Sequence, residues 1–297
     1  MSHYRGRFAP TPSGPLHFGS LVAALASFLD ARHAGGEWLL RIEDIDPPRC
    51  PAGAAETILR QLEACGLHWD GPVRWQHDRD EAYAAALARL ESLGLAYPCS
   101  CSRKQWRDFP IYPGWCREGV REPGKPVAWR LRSDLGLRPV VWQDRLFGEQ
   151  RFDPAELGDV VLKRKDGLWA YQLAVVVDDA DQGITDVVRG HDLLDNTPWQ
   201  RQLQHALGLP EPRYLHLPLI MSGDGQKLSK QNLAPPLPLE DAAVRPLLHR
   251  ALVAMDQAPP AELATAPVAD QLARAITTWD VGRIHAHPER TATATGH

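Results

Sequence analysis

Two groups of residues in this chain have the types and spacing to do chemistry. The first is Cys99, Cys101 and Cys116, three thiols within eighteen positions among Pro and Gly turns. The chain has five cysteines, and an odd number with three clustered argues for metal ligation over a disulfide framework. Such a knuckle suits zinc, and a closed structural zinc site takes four ligands. No histidine lies between Cys99 and Cys116, which leaves Tyr112, Glu118 and water for the fourth position. Phenolate is an uncommon ligand because its ordinary pKa is about 10, although a dication favours the ionised form. The second group opens in RFAPTPSGPLHFGS, residues 7–20. Pro10, Pro12, Gly14 and Pro15 exclude a helix there, so the segment is an ordered turn. Its small residues let a ligand approach the backbone, and the free N–H groups of the helix that follows favour phosphate oxygens. His17 and Gly19 stand at that entrance.

The elements that hold these residues follow from periodicity. Leu21, Leu25, Phe28 and Leu29 share one helical face, and Gly35-Gly36 supplies the stop. Trp38 to Ile42 then reads as a buried strand ending in Glu43, Asp44 and Asp46. Strand, turn, helix and strand make one β-α-β unit, with Glu43 at the sheet edge where open parallel sheets bind ligands. Helices are predicted over 52–65 and 80–93, the second with Tyr83, Leu87 and Leu90 inward. Short strands are predicted at 127–131, 140–142 and 160–164. The apolar run from Trp169 to Asp179 suits a helix or a strand, and its period does not decide. A strand from Gly183 enters a turn at Gly190, and a helix spans 196–207 between Pro198 and Gly208. After a Pro-rich linker at 235–238, helical patches are predicted at 246–255 and 261–279, with fraying from His285.

Composition sets the bounds. The 297 residues are 44% hydrophobic, enough for a sizeable core, and no stretch approaches the roughly 20 apolar residues of a membrane span. The N-terminus lacks an apolar signal core, which predicts a cytoplasmic protein. A net charge of −4 does not by itself point to nucleic acid. Locally, residues 101–132 carry eight Lys or Arg against Asp108, Glu118 and Glu122, which predicts an RNA-backbone contact.

The motifs carry a resemblance. Pro-Ser-Gly-Pro-Leu-His17-Phe-Gly19-Ser20 resembles the His-Ile-Gly-His signature of class I aminoacyl-tRNA synthetases, with Ser20 in place of the last His as in the glutamyl branch. Lys227-Leu-Ser-Lys230-Gln resembles the Lys-Met-Ser-Lys-Ser loop, in the right order and with RIEDID between. Cys99-x-Cys101 followed by Tyr112-x-x-x-Cys116 is similar to the zinc site of glutamyl-Q tRNA(Asp) synthetases, which implies Tyr112 as the fourth ligand. The resemblance runs from Arg7 through Asn232. It implies an α/β, Rossmann-type class I catalytic core with a zinc-binding insertion and a short helical C-terminal part. The implied boundaries are 1–96 and 166–234 for the two core halves, 97–165 for the insertion, 235–285 for the C-terminal part and 286–297 for a frayed tail.

Activation of an amino acid is attack by its carboxylate on the α-phosphorus of ATP. The nucleophile is already ionised, so the need is for fixed donors and cations around the phosphates. The resemblance implies that His17, Gly19, Lys227 and Lys230 bind ATP, with His17 and Lys230 catalytic and magnesium bridging the phosphates. It implies Arg7 and Arg189 for the side-chain carboxylate of L-glutamate, Glu43 for its ammonium, Tyr171 as an aromatic wall, and Ala9 and Thr11 along the approach. Arginine suits a carboxylate because its planar guanidinium can bind both oxygens. Only 65 residues follow Asn232, short for an anticodon-binding module. Together with that shortness, the resemblance to glutamyl-Q tRNA(Asp) synthetases implies activation of glutamate without tRNA and transfer to queuosine at the wobble position of tRNA(Asp), and a monomer is expected. The alternatives are a truncated synthetase charging a tRNA 3′ end and a non-catalytic zinc and RNA-binding paralogue.

Overall fold

The computed structural model describes residues 3–135, 139–221 and 235–291. Its elements in chain order are β1 (Arg5–Phe8), α1 (Phe18–His33), β2 (Glu37–Ile42), α2 (Ala54–Ala64), β3 (Arg74–Trp75), α3 (Asp80–Ser92), β4 (Ala96–Cys99) and β5 (Ala128–Leu131). Next come β6 (Val140–Asp144), β7 (Gly148–Phe152), α4 (Pro154–Leu157), β8 (Val161–Lys163), α5 (Tyr171–Asp181) and β9 (Asp186–Gly190). The chain continues with α6 (Thr197–Leu207), β10 (Arg213–Leu217), β11 (Leu219–Met221), α7 (Asp241–Ala254), α8 (Val268–Thr278) and β12 (Glu289–Thr291).

The central layer is parallel. β1 pairs with β2, and β2 with β3. β9 pairs with β10, and β10 with β6, also in parallel. The two groups meet where Thr185, just before β9, donates its N–H to the Arg5 carbonyl at 2.9 Å. This is the doubly wound arrangement, in which ligands sit beyond the C-terminal strand ends. Gly36 closes the first turn tightly: a Cβ there would lie 2.3 Å from the Tyr4 carbonyl oxygen, so only glycine lets β2 start beside β1.

Helix α1 is more buried than a single apolar stripe predicts. Besides the four expected positions, Ala24, Ala26, Ser27, Asp30 and Ala31 are buried. The reason is double coverage, since α1 packs on β1, β2 and β9 and also against α7 and α8. Asp30 pins this arrangement. It accepts from Arg145 at 2.5 and 2.9 Å, from the Trp279 indole at 2.9 Å, and from the Tyr4 hydroxyl. Across the sheet, α5 packs with α3 and α6, which settles residues 171–181 as a helix. Its four consecutive buried apolar residues, Leu173 to Val176, read equally well as strand until the neighbours are known.

The excursion between the core halves carries its own antiparallel sheet, β4-β5-β8. The β6–β7 hairpin does not join it. It lies on the catalytic sheet in the order β7-β6-β10-β9. Three expectations change near the C-terminus. The first helix starts at Asp241 and keeps Pro246 inside it, because burial of Val244, Leu248, Ala251 and Leu252 outweighs one missing N–H. The span 261–279 is divided at Pro267, which cannot continue a helix and instead caps α8. The fraying expected from His285 is not complete, since Glu289–Thr291 pairs in parallel with Leu219–Met221. Among the described residues, no helix is long and apolar enough to cross a membrane.

Candidate functional site

His17 caps the N-terminus of α1. Its ring accepts the Ser20 N–H at 3.4 Å and meets the Ser20 hydroxyl at 3.1 Å. With Gly19 and Ser20 it lines a cavity of about 250 Å³ whose far wall is Gly190, Asp192 and Leu217 to Ile220. The helix start and the ends of β9 and β10 thus face one another, with the helix dipole favouring an anion. From the sequence Gly190 was expected only as a turn, and Asp192 was given no role. A Cβ on Gly190 would lie 2.6 Å from an Asp192 oxygen, so the glycine makes room for that carboxylate. Lys227 and Lys230, the cations expected here, lie outside the described residues.

Beside this cavity is a buried ionic network. Arg41, with no exposed surface, donates to Asp179 at 2.7 Å, Gln182 at 2.8 Å and Glu43 at 3.2 Å. Arg7 faces Asp179 through Nε at 3.1 Å and Nη2 at 3.4 Å. Burial would raise the Asp179 carboxyl, but Arg7 and Arg41 outweigh it and hold it below the usual carboxylate range. Burial wins at Glu43 and pushes its carboxyl up, against the opposing charges of Arg41 and Arg7. Tyr171, at the start of α5, is half-buried. Burial raises its phenol, and Arg189, Glu43, Arg7 and Asp179 all act electrostatically on it. Four expected residues, Arg7, Glu43, Tyr171 and Arg189, are therefore one neighbourhood. Ala9 is half-buried and Thr11 exposed, on the loop whose Pro10 carbonyl accepts the Glu43 N–H at 3.0 Å.

Arg189 differs from Arg7. It is 5% exposed, and its partners are the His216 ring at 3.1 Å, Gln200 at 2.9 Å, Thr197 at 2.8 Å and the Leu193 carbonyl at 3.3 Å. Among the described residues no carboxylate pairs with it. Sequence reasoning missed Arg41, Asp144, Asp179, Gln200 and His216. The only available signal was polar residues standing inside otherwise apolar strands and helices.

The cysteine cluster assembles as expected. The sulfurs of Cys99, Cys101 and Cys116 lie within 4.8 Å of one another, all buried, and could hold a metal ion. The Tyr112 hydroxyl sits among them, 3.3 Å from Cys99 and 3.6 Å from Cys101, and it accepts the Cys116 N–H at 3.0 Å. Burial raises the Cys116 thiol, but hydrogen bonds from the Arg121 N–H and from Tyr112 outweigh it and lower it to about 6. Burial, with the hydrogen bonds to the three thiols, pushes the Tyr112 phenol up. The guanidinium of Arg130 lies 4.2 Å above the Tyr112 ring. Three thiols and a phenol converging in this way fit a closed zinc site.

The basic run is smaller at the surface than its composition implies. Arg117 pairs with Asp159 at 2.7 Å, Arg132 with Asp134 at 2.9 Å and Glu118 at 3.1 Å, and Lys125 with Glu122, while Arg130 is buried. Arg103, Lys104 and Arg121 are exposed, as are Arg107, 3.7 Å from Asp108, and the paired Lys125.

A parallel doubly wound sheet with His17 capping the first helix and an inserted sheet between the halves is the catalytic core of a class I aminoacyl-tRNA synthetase. Residues 3–109 and 116–238 match the family model described as tRNA synthetases class I (E and Q), catalytic domain. A glutamyl-Q tRNA(Asp) synthetase of Ectopseudomonas mendocina is 57% identical over 284 residues, 95% of each chain. The Pseudomonas aeruginosa and Thiobacillus denitrificans proteins of that name are 56% and 54% identical, each over 95% of this chain. A crystal structure of a glutamate tRNA ligase from Elizabethkingia meningosepticum, in complex with its amino acid, superposes with a TM-score of 0.83 at 25% identity. It covers 99% of this chain and 68% of that one. The chain belongs to the glutamyl-Q tRNA(Asp) synthetase family.

Proposed function

We propose that the protein activates L-glutamate with ATP in the absence of tRNA and transfers the glutamyl group to queuosine at the wobble position of tRNA(Asp). The observation that carries this reading is Arg189, a buried guanidinium surrounded by neutral acceptors and placed beside Tyr171, Glu43 and Arg7. A site of that kind favours a ligand with a side-chain carboxylate, which supplies the missing counter-charge. Glu43 serves the ammonium, Tyr171 forms the wall, and Ala9 and Thr11 flank the approach. The α-carboxylate then faces the cavity at the start of α1, where its oxygen attacks the α-phosphorus of MgATP and pyrophosphate leaves. His17, Gly19 and the helix-start N–H groups serve the α-phosphate, and Lys230 with Lys227 follows the leaving group. In the second step a hydroxyl of the queuosine ring attacks the acyl carbon and AMP leaves.

Cys99, Cys101, Cys116 and Tyr112 would hold zinc, which when bound supplies a rigid cross-link for the insertion. The same reading takes residues 1–96 and 166–234 as the core halves and 97–165 as the insertion, with the 140–152 hairpin counted to the catalytic sheet. Residues 235–285 form the C-terminal part, and 286–297 the tail.

Two assays test the reading. ATP–pyrophosphate exchange should require glutamate and no tRNA, with aspartate poorly used because its carboxylate falls one methylene short of Arg189. Absence of exchange with every amino acid would sink the enzyme reading. For the acceptor, labelled glutamate is offered to tRNA(Asp) with and without queuosine, each with and without periodate, which destroys cis-diols. Incorporation should require queuosine with its diol intact. Equal incorporation into queuosine-free tRNA would defeat the reading in favour of the 3′ end.

A further inference from the structure

Arg189 on β9 is paired across the sheet with His216 on β10. Its Nε donates to His216 Nε2 at 3.1 Å, so that ring nitrogen must offer a lone pair. The other ring nitrogen, Nδ1, lies 2.6 Å from Asp144 on β6. An ionised carboxylate can only accept, so Nδ1 carries the proton, and the two contacts require the same neutral tautomer. Asp144 is itself fixed, since its Oδ1 accepts the N–H groups of Leu146 and Phe147, each at 3.0 Å. The triad is buried throughout, with His216 having no exposed surface and Asp144 1%. The anion nearest to Arg189 in this chain of contacts is therefore one imidazole away, and among the described residues the guanidinium hydrogen-bonds to neutral groups.

We infer that Asp144 and His216 are positioning residues that hold Arg189 with neutral acceptors alone, keeping its charge for a substrate carboxylate and against the corresponding amide. The inference rests on the glutamate reading above and adds to it a source of discrimination between glutamate and glutamine. A carboxylate in direct contact with Arg189 would satisfy it in the empty enzyme, and an acidic substrate would have to displace that partner. A proton on Nε2 would set donor against donor and turn the guanidinium out of line. The neutral acceptors avoid both. Other groups around His216 agree: the Thr197 hydroxyl is 3.3 Å from Nε2, and the Tyr214 ring stacks at 6.0 Å.

The test uses the full chain in three arms. Histidine ¹⁵N NMR of the wild type at pH 7 should show His216 as the neutral Nδ1–H tautomer. An Nε2–H tautomer or an imidazolium would overturn the inference, whatever the enzyme's activity. The Gln200→Glu variant places an isosteric carboxylate where Arg189 Nη1 now finds an amide oxygen at 2.9 Å. Its KM for glutamate should rise roughly thirtyfold or more, since a partner of a buried charge pair is at stake. Its use of glutamine and its KM for ATP should change little, so the acid-to-amide preference collapses. An unchanged glutamate KM in the folded variant would overturn the inference. Asp144→Asn keeps the shape but lets an amide donate to Nδ1, which moves the proton to Nε2. It should raise the glutamate KM more than it lowers kcat and switch the ¹⁵N pattern. The reverse split would mean a purely structural role and would also overturn the inference. Wild-type protein that exchanges with no amino acid sinks the glutamate reading separately, and the tautomer arm still reports.

Discussion

The Tyr112 hydroxyl lies 3.3 Å from the sulfur of Cys99, thirteen positions away, inside a pocket of three thiols. A phenol so placed is a ligand in waiting, because a dication stabilises phenolate as it does thiolate. Elemental analysis of the purified protein should find about one equivalent of zinc. Cys116→Ser should lose it, while Cys50→Ser and Cys65→Ser should not. Metal retained in Cys116→Ser would remove the assignment, whereas metal retained in Tyr112→Phe would remove only the fourth ligand.

Arg41 holds Asp179 and Glu43 together without exposing any surface. Replacing it with methionine leaves two carboxylates buried without their shared partner. The expected loss is about 3–5 kcal/mol of folding stability, read from denaturant midpoints at pH 7. A loss within ordinary surface-mutation range would mean that Arg7 alone suffices.

His216 makes stability depend on pH. Burial lowers its pKa from 6.5 to about 4, with the Asp144 hydrogen bond opposing and the Arg189 charge adding to the burial. As pH falls, the unfolded chain takes up the proton before the folded one. Stability contributed by the neutral ring is whole above pH 6.5 and is lost progressively from 6.5 down to 4, at most about 3 kcal/mol in all. Urea titrations of wild type and His216→Gln across that window should show the steeper fall in the wild type. Parallel curves would contradict the assignment.

Arg103, Lys104 and Arg107 are exposed basic positions on the insertion. If they meet the phosphates of a single-stranded loop, replacing all three with alanine should flatten the plot of log affinity for tRNA against log salt by about 2. Zinc content serves as the control for folding of the insertion. An unchanged slope with weakened binding would place the RNA backbone elsewhere.

Much of this protein was written in local spacing. His17 and Gly19 mark a helix start because Pro and Gly before them admit nothing else. Cys99, Cys101, Tyr112 and Cys116 mark a metal pocket because their ligand atoms need only short turns to converge. The helices at 80–92 and 197–207 declare themselves by an apolar stripe and a glycine stop. Tertiary structure decided what local spacing does not encode, namely which buried charges share a partner. Arg7 meets Asp179 across 172 positions, and His216 meets Asp144 across 72. Those pairings depend on tertiary arrangement, since β6 and β10 become neighbours only in the assembled sheet and Asp179 on α5 reaches Arg7 on β1 only when that helix packs. The basic run 103–132 shows the same limit: its composition was legible, but burial and ion pairing decided which of its charges reach solvent. Period and spacing fix the elements because backbone geometry repeats along the chain. A desolvated charge takes whichever opposite charge the packed sheet brings within hydrogen-bond reach, and that is settled only when the chain folds.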